Sequence, residues 1–350
     1  MDELPSELIE LTLGNIHSIP DILSCTLVCR RWVPFARSRL EIYLHPRVTP
    51  AFLQLLRSPK TTLFSVRRLQ IRTWGRETHN YHSVLKLLPA FTALRFLDIR
   101  GAFAEIPPLP WLTELRLSGT FASYSGFVRF MSDLPALQAL TINDIQWDDT
   151  PDPKLPIPTL HLEWLSLSWA APVEHIMFPL RTPILRLDMR GTRMGTYMQS
   201  ISKYLHRLGG HLRDLHLHCT QLEILSSLDF RHSTSLQLLA IGPVVRYTRR
   251  GAALREATVY PQLSTVLANV MSHCPLKILV INVFTENSQG PDAWLPLGHL
   301  TEILEGPLLA KVSRIRFLIS DVYRGDFEAL LGAMPIRAGQ VMDCASAGNT

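Results

Sequence analysis

The side chains best suited to chemistry gather in one short stretch, where His211, His216, His218 and Cys219 lie within nine residues. Imidazole nitrogens and a thiolate are donors that zinc favours, and His216 and His218, two apart in a strand, share a face. A finger-like zinc site needs a second Cys/His cluster at matching spacing, and the sequence offers none. No metal and no cofactor is therefore expected. Cys25 and Cys29, four apart on a helical segment, read as two small apolar core residues. His79 and His82, beside Arg76 and Glu77, read as a solvated loop. There is no G-x-S-x-G for a nucleophile, and neither G-x-x-x-x-G-K-[ST] nor G-x-G-x-x-G for a phosphate. No histidine stands where it would serve a serine or cysteine as base, so the chain is expected not to be an enzyme by itself.

Recognition remains, and it depends on how the backbone presents side chains. From residue 66 onward apolar residues recur at i, i+3 and i+5, as in Val66/Leu69/Ile71, Leu94/Leu97/Ile99, Leu112/Leu115/Leu117, Leu137/Leu140/Ile142 and Leu162/Leu165/Leu167. Five more copies begin at Ile184, Leu212, Leu236, Leu276 and Val312. The starts are 28, 18, 25, 25, 22, 28, 24, 40 and 36 residues apart, and most of these gaps lie close to the 20–29 of a leucine-rich repeat. The last two apolar positions point the same way from a short strand, and the first tucks in where the strand begins. Stacked in parallel, such strands share one continuous core. The clusters Val84–Pro89 and Phe127–Met131 predict the helices that return between strands. Three residues after the last apolar position, where that repeat family has Asn or Cys, this chain has Trp74, Ala102, Thr120, Ile145, Ala170, Thr192 and Thr220 in the first seven copies. An irregular solenoid of variable repeat length is expected, with longer excursions at 146–161, 243–262 and 283–300.

Residues at i+2, i+4 and i+6 alternate away from that core and should line the concave face. They supply a candidate target-binding set: Arg68, Arg72, Arg100, Arg116, Trp164, Arg186, Asp188, Arg190, His216 and His218. Arginine's planar fork suits phosphate and carboxylate, so the set predicts a basic, aromatic-dotted groove for an acidic or phosphorylated protein segment. The plainer alternative is that water-facing strand residues are polar in any protein. Later copies turn apolar at Leu238, Ala240, Ile278 and Val280, which reads either as a hydrophobic pocket or as a patch under a neighbouring loop.

Residues 3–45 follow a different rhythm. Leu4, Leu8, Leu11 and Asn15/Ile16 fall three or four apart, and Ile22/Leu23, Thr26/Leu27 and Cys29/Arg30 carry the spacing on to Trp32. Ser18-Ile19-Pro20-Asp21 marks a helix start, with a capping serine, an early proline and an acidic first turn. Pro34 limits that helix or restarts the next. A helical hairpin with a third short helix results, too small to bury all its apolar residues alone.

Composition sets the bounds. The 350 residues are 47% hydrophobic and only 19% charged, below the roughly 25% of an average soluble domain, which excludes a mostly disordered chain. A net charge of +5 spread over dispersed arginines is a weak footprint for nucleic acid, and no nucleic-acid partner is expected. Five cysteines with no C-x-x-C pair point to a reducing compartment. The acidic start Met1-Asp2-Glu3 and the lack of a long apolar run lead to the expectation of an intracellular protein, cytoplasmic or nuclear, with no membrane partner.

The stretch LPSELIELTLGNIHSIPDILSCTLVCRRW, residues 4–32, resembles an F-box, in which LP-x-E-L opens the motif and L-V-C-R-x-W closes it. The resemblance is to F-box proteins of the fungal type with irregular leucine-rich repeats. It implies an α/β protein: a three-helix F-box over 1–45, a connecting segment over 46–65, a solenoid with a parallel sheet over 66–336, and a loose tail over 337–350. It implies a Skp-type adaptor as partner and, through it, a cullin-based ubiquitin ligase that the chain serves as non-catalytic substrate receptor. By motif, the adaptor-facing or module-core positions are Leu4, Pro5, Leu8, Ile9, Ile16, Ile22, Leu23, Leu27, Val28, Cys29 and Trp32. Thr12 and Gly14 should weaken the first helix. Two alternatives stay open: the helices cap the first repeat, or the solenoid is a scaffold without ubiquitin transfer.

Overall fold

The computed structural model describes residues 5–16, 18–28, 30–58, 61, 63–72, 78–103, 106–147, 149, 160–168, 184–190, 198–218, 228–242, 245–250, 253–259, 262–283, 307–319 and 341–346. They fall into two compact units, one up to Leu162 and one from Glu163. Both are α/β, with parallel strands in chain order and helices between them.

The first unit opens with α1 (Ser6–Gly14), α2 (Ile19–Val28) and α3 (Val33–Ser38). Proline at the second residue of α2 and of α3 sits where a missing N–H removes no helical bond. Strands β1 (Glu41–Leu44), β2 (Arg68–Arg72), β3 (Phe96–Phe103), β4 (Glu114–Phe121) and β5 (Ala139–Trp147) follow. Each pairs in parallel with the one before it. Between them run α4 (Thr49–Leu56), α5 (Thr78–Leu87) and α6 (Tyr124–Ser132). The Ser123 hydroxyl caps α6 by accepting from the Gly126 amide at 3.0 Å. The second unit holds β6 (Trp164–Ser168), β7 (Arg186–Arg190), β8 (Asp214–His218), β9 (Leu238–Gly242), β12 (Ile278–Val283), β13 (Arg314–Ile319) and β14 (Val341–Ser346) as parallel neighbours in that order. Its helices are α7 (Met198–Leu208) and α8 (Gln262–His273), and β10 (Val245–Arg250) with β11 (Ala253–Val259) forms an antiparallel hairpin.

Every copy of the apolar pattern becomes a strand, and all three of its positions are buried in every copy. The returning helices bury one face each, Val84 and Leu85 in α5, Phe127, Val128, Phe130 and Met131 in α6, and Leu263, Val266, Leu267 and Val270 in α8. A main-chain ladder ties neighbouring strands where they begin, in place of the missing asparagines. The Arg67 carbonyl accepts from both Arg95 and Phe96 N–H, Arg95 accepts from Thr113 and Glu114, and Thr113 accepts from Gln138 and Ala139. Glu163, Leu185, Arg213, Gln237 and Lys277 repeat this in the second unit, each carbonyl taking two consecutive amides at 2.8–3.1 Å. Irregular spacing is tolerated because the tie needs no particular side chain.

Three expectations are corrected. The segment 46–65 is no bare connection, since α4 buries Phe52, Leu53 and Leu56, and Phe52 stacks on Phe91. β1, within the span assigned to the helices, adds a strand ahead of the first repeat. Residues 341–346, expected in a loose tail, pair with β13 along the whole strand. The longer excursion expected at 243–262 holds the antiparallel hairpin of β10 and β11. Apart from Val283, which ends β12, the excursion expected at 283–300 lies outside the described residues, as does most of that at 146–161. Among the described residues no helix is long and apolar enough to cross a membrane.

Candidate functional site

The N-terminal helices build a small core of their own. Ile9, Leu13, Ile22 and Ala36 are buried together, with Ile16, Cys25, Trp32, Phe35 and Leu40 packed against them. The helical stripe of α1 thus runs through Ile9 and Leu13, one residue round from the stripe read off Leu4, Leu8 and Leu11. A 3.6-residue period shows that a helix has an apolar side, but with apolar residues on two sides it does not say which faces inward.

The outward side is correspondingly apolar. Leu8 is 47% exposed, Leu11 66%, Leu23 48%, Leu27 86% and Val28 62%. Half of the ten large exposed apolar residues in the described structure lie on these two short helices, a concentration that marks an interaction surface. The motif positions therefore divide: Ile9 and Ile22 form the core, Ile16 and Trp32 pack on its rim, and Leu8, Leu23, Leu27 and Val28 face out, as does Pro5. Leu4 and Cys29 lie outside the described residues. Leu11 was not among the adaptor-facing positions, though its place three residues after Leu8 puts it on the same side.

On the sheet face of the first unit, the arginines are present but not free. Arg68 lies 3.6 Å from Glu41 and 4.0 Å from Glu114, with its guanidinium 3.9 Å above the Phe96 ring. Arg116 pairs with Glu114 at 3.1 Å and covers the same ring at 5.0 Å. Arg100 grips Asp98 through Nε and Nη2 at 3.3 and 3.2 Å. Arg72 lies over Tyr43 at 4.8 Å. Four arginines thus share the face with Glu41, Asp98 and Glu114, so the expected basic groove is a mixed-charge surface with aromatic backing. The arginines' partners are legible only in part, because the Glu41 carboxylate and the Tyr43 ring come from a strand without the repeat pattern. At the starts of these strands a cavity of about 470 Å³ is lined by Arg39, Arg67, Arg68 and Arg95 with Glu114. Arg39, Arg67 and Arg95 precede strands, where alternation assigns no direction.

The second unit carries the remaining predicted residues. Trp164 is half-buried, and Arg186 is exposed but paired with Asp214 at 2.9 Å. Asp188 is a correction: it was expected on an open face and is only 3% exposed. It stands opposite His216 in register, and a donor atom of Asp188, one of His216 and one of His218 all lie within 4.8 Å of each other. His211, from the same sequence cluster, is exposed, and Cys219 lies outside the described residues. Arg190 is placed in β7 opposite His218, and its side chain lies outside the description. The later apolar positions form a separate buried cluster of Ala240, Val280 and Leu318, with Leu238 and Ile278 at its edge. Beyond it, Arg314 and Arg316 both bind Asp343 of β14, at 2.6 and 2.9 Å. The Arg316 hydrogen bond first, and then that of Arg314, hold this carboxyl below the usual range.

Cys274 offers no nucleophile: burial pushes its thiol up to about 11, and the thiol donates to the Phe230 carbonyl. Fold and surfaces together define a parallel α/β repeat protein with a helical N-terminal module whose outer side is apolar. Compared with known proteins, the chain matches no family model and no curated sequence.

Proposed function

We propose that this chain is the substrate-recognition subunit of a Skp-cullin-F-box-type ubiquitin ligase. Its N-terminal helices dock a Skp-type adaptor, and its strand-lined faces hold a target protein. The observation that carries this reading is the set of apolar residues on α1 and α2 that stay exposed on the side away from the helices' own small core. The capping alternative is weakened because β1 and α4 already cover the first repeat. No active site is required of a receptor, since holding a target near a charged ubiquitin carrier raises its effective concentration. The target segment on the first unit is matched to a mixed-charge surface, with acidic groups reaching the arginine-lined cavity.

A second reading, a scaffold without ubiquitin transfer, is favoured by one contact. Glu10 of α1 pairs with Arg67, just before β2, at 3.2 Å, a contact between the helices and the repeats. Protein lifetimes separate the two readings. Proteins captured by the chain should persist several-fold longer in cells carrying L23D/L27D than in cells carrying wild type. Unchanged lifetimes would leave the scaffold.

A further inference from the structure

We propose that Asp188, His216 and His218 form a binding site for a divalent transition metal, zinc above all, on the sheet face of the second unit. The site follows from register. β7 and β8 are parallel neighbours, Asp188 lies directly opposite His216, and His218 is two residues further along the same strand. Strand alternation therefore sends both imidazoles to the face that carries the carboxylate. One donor atom from each residue lies within 4.8 Å of the other two. Ligands about 2.0–2.2 Å from a zinc ion stand roughly 3.3 Å apart in a tetrahedron, so the donor atoms have at most about 1.5 Å to close on binding.

The donor set selects the metal class. Two imidazoles and one carboxylate suit zinc, cobalt or nickel, whereas calcium and magnesium seek oxygen shells. The carboxylate is buried and supplies the negative charge, and Ser166, its register partner on β6, is buried beside it. Both imidazoles are partly exposed, which leaves a route for the ion. Arg186, two residues before Asp188, is paired with Asp214 at 2.9 Å. Three protein ligands leave a fourth position for water or for a donor from a bound protein, the arrangement of an open zinc site. The proposal is independent of the adaptor reading, which rests on other residues.

The test uses the full purified chain, stripped with a chelator and titrated with cobalt(II) as a visible-absorbing probe, then with zinc as competitor. One saturating cobalt band per chain, displaced by zinc, is expected. D188N, H216Q and H218Q should each weaken binding by at least the roughly 10–100-fold typical of losing even an outer-shell partner. H273Q, at an exposed position on α8, should leave it unchanged. Circular dichroism identifies any variant that has lost its fold, and D188N, nearly the same shape as the parent, keeps the test decisive. No saturable band, or a band that all three substitutions leave intact, overturns the proposal.

Discussion

Phe96 sits on the outer face of its sheet and is nevertheless only 1% exposed, because the guanidinium groups of Arg68 and Arg116 lie over its ring. The same arginines are held by Glu41 and Glu114, so each has a stacking surface and an anion. Arginine rather than lysine is needed for this double use. At β14 the logic repeats with one carboxylate for two cations. Because the Asp343 carboxyl is lowered in the folded state, its contribution to stability is present above the ordinary value of about 3.9 and is lost as pH falls through the folded value. R316Q should move the Asp343 titration upward, and R314Q should move it less, since the Arg316 hydrogen bond is the larger cause. A carboxyl-detected NMR titration reads both shifts; no movement in R316Q would contradict the assignment. At this scale the sequence was legible only by type. It showed arginines on a face, but their partners come from other strands, and only register brings Asp188 to His216.

Elements were more legible, for a physical reason. The i, i+3, i+5 pattern couples a turn to two same-side strand positions, and burial of all three follows wherever such strands stack. β1, with Glu-Ile-Tyr-Leu, and β14, with Val-Met-Asp-Cys-Ala-Ser, lack the lead-in residue yet pair in parallel with β2 and β13. Gly119 shows a constraint no pattern reveals. Its φ is +137°, and an added Cβ would fall 1.8 Å from the Gly101 carbonyl oxygen on the neighbouring strand. G119A should cost on the order of 2 kcal/mol or more in a denaturant melt, from backbone strain and displacement of β3. A melt unchanged from wild type would show that the bulge at Ser118/Gly119 absorbs the methyl. In the N-terminal helices, I9A should cost about 2–5 kcal/mol as a cavity substitution. L27A, on the outer side, should stay within about 0.5 kcal/mol. Equal effects would mean that Leu27 is covered.

For the whole molecule, the division of labour follows from where apolar surface is spent. The repeats bury theirs between strands and returning helices, whereas α1 and α2 bury one side and leave the other outward. The resemblance at residues 4–32 suggested a docking module, and it named inner and outer positions together because a motif does not separate them. Their separation makes a clean experiment available, since exposed leucines can be changed without opening the core. The measurement is the affinity of a Skp-type adaptor for the full chain and for L23D/L27D, by isothermal titration, with circular dichroism to verify the fold. Saturable binding by wild type, weakened at least 100-fold in a folded L23D/L27D, is the expected result. Absence of binding by wild type, or equal binding by the variant, would contradict the receptor reading.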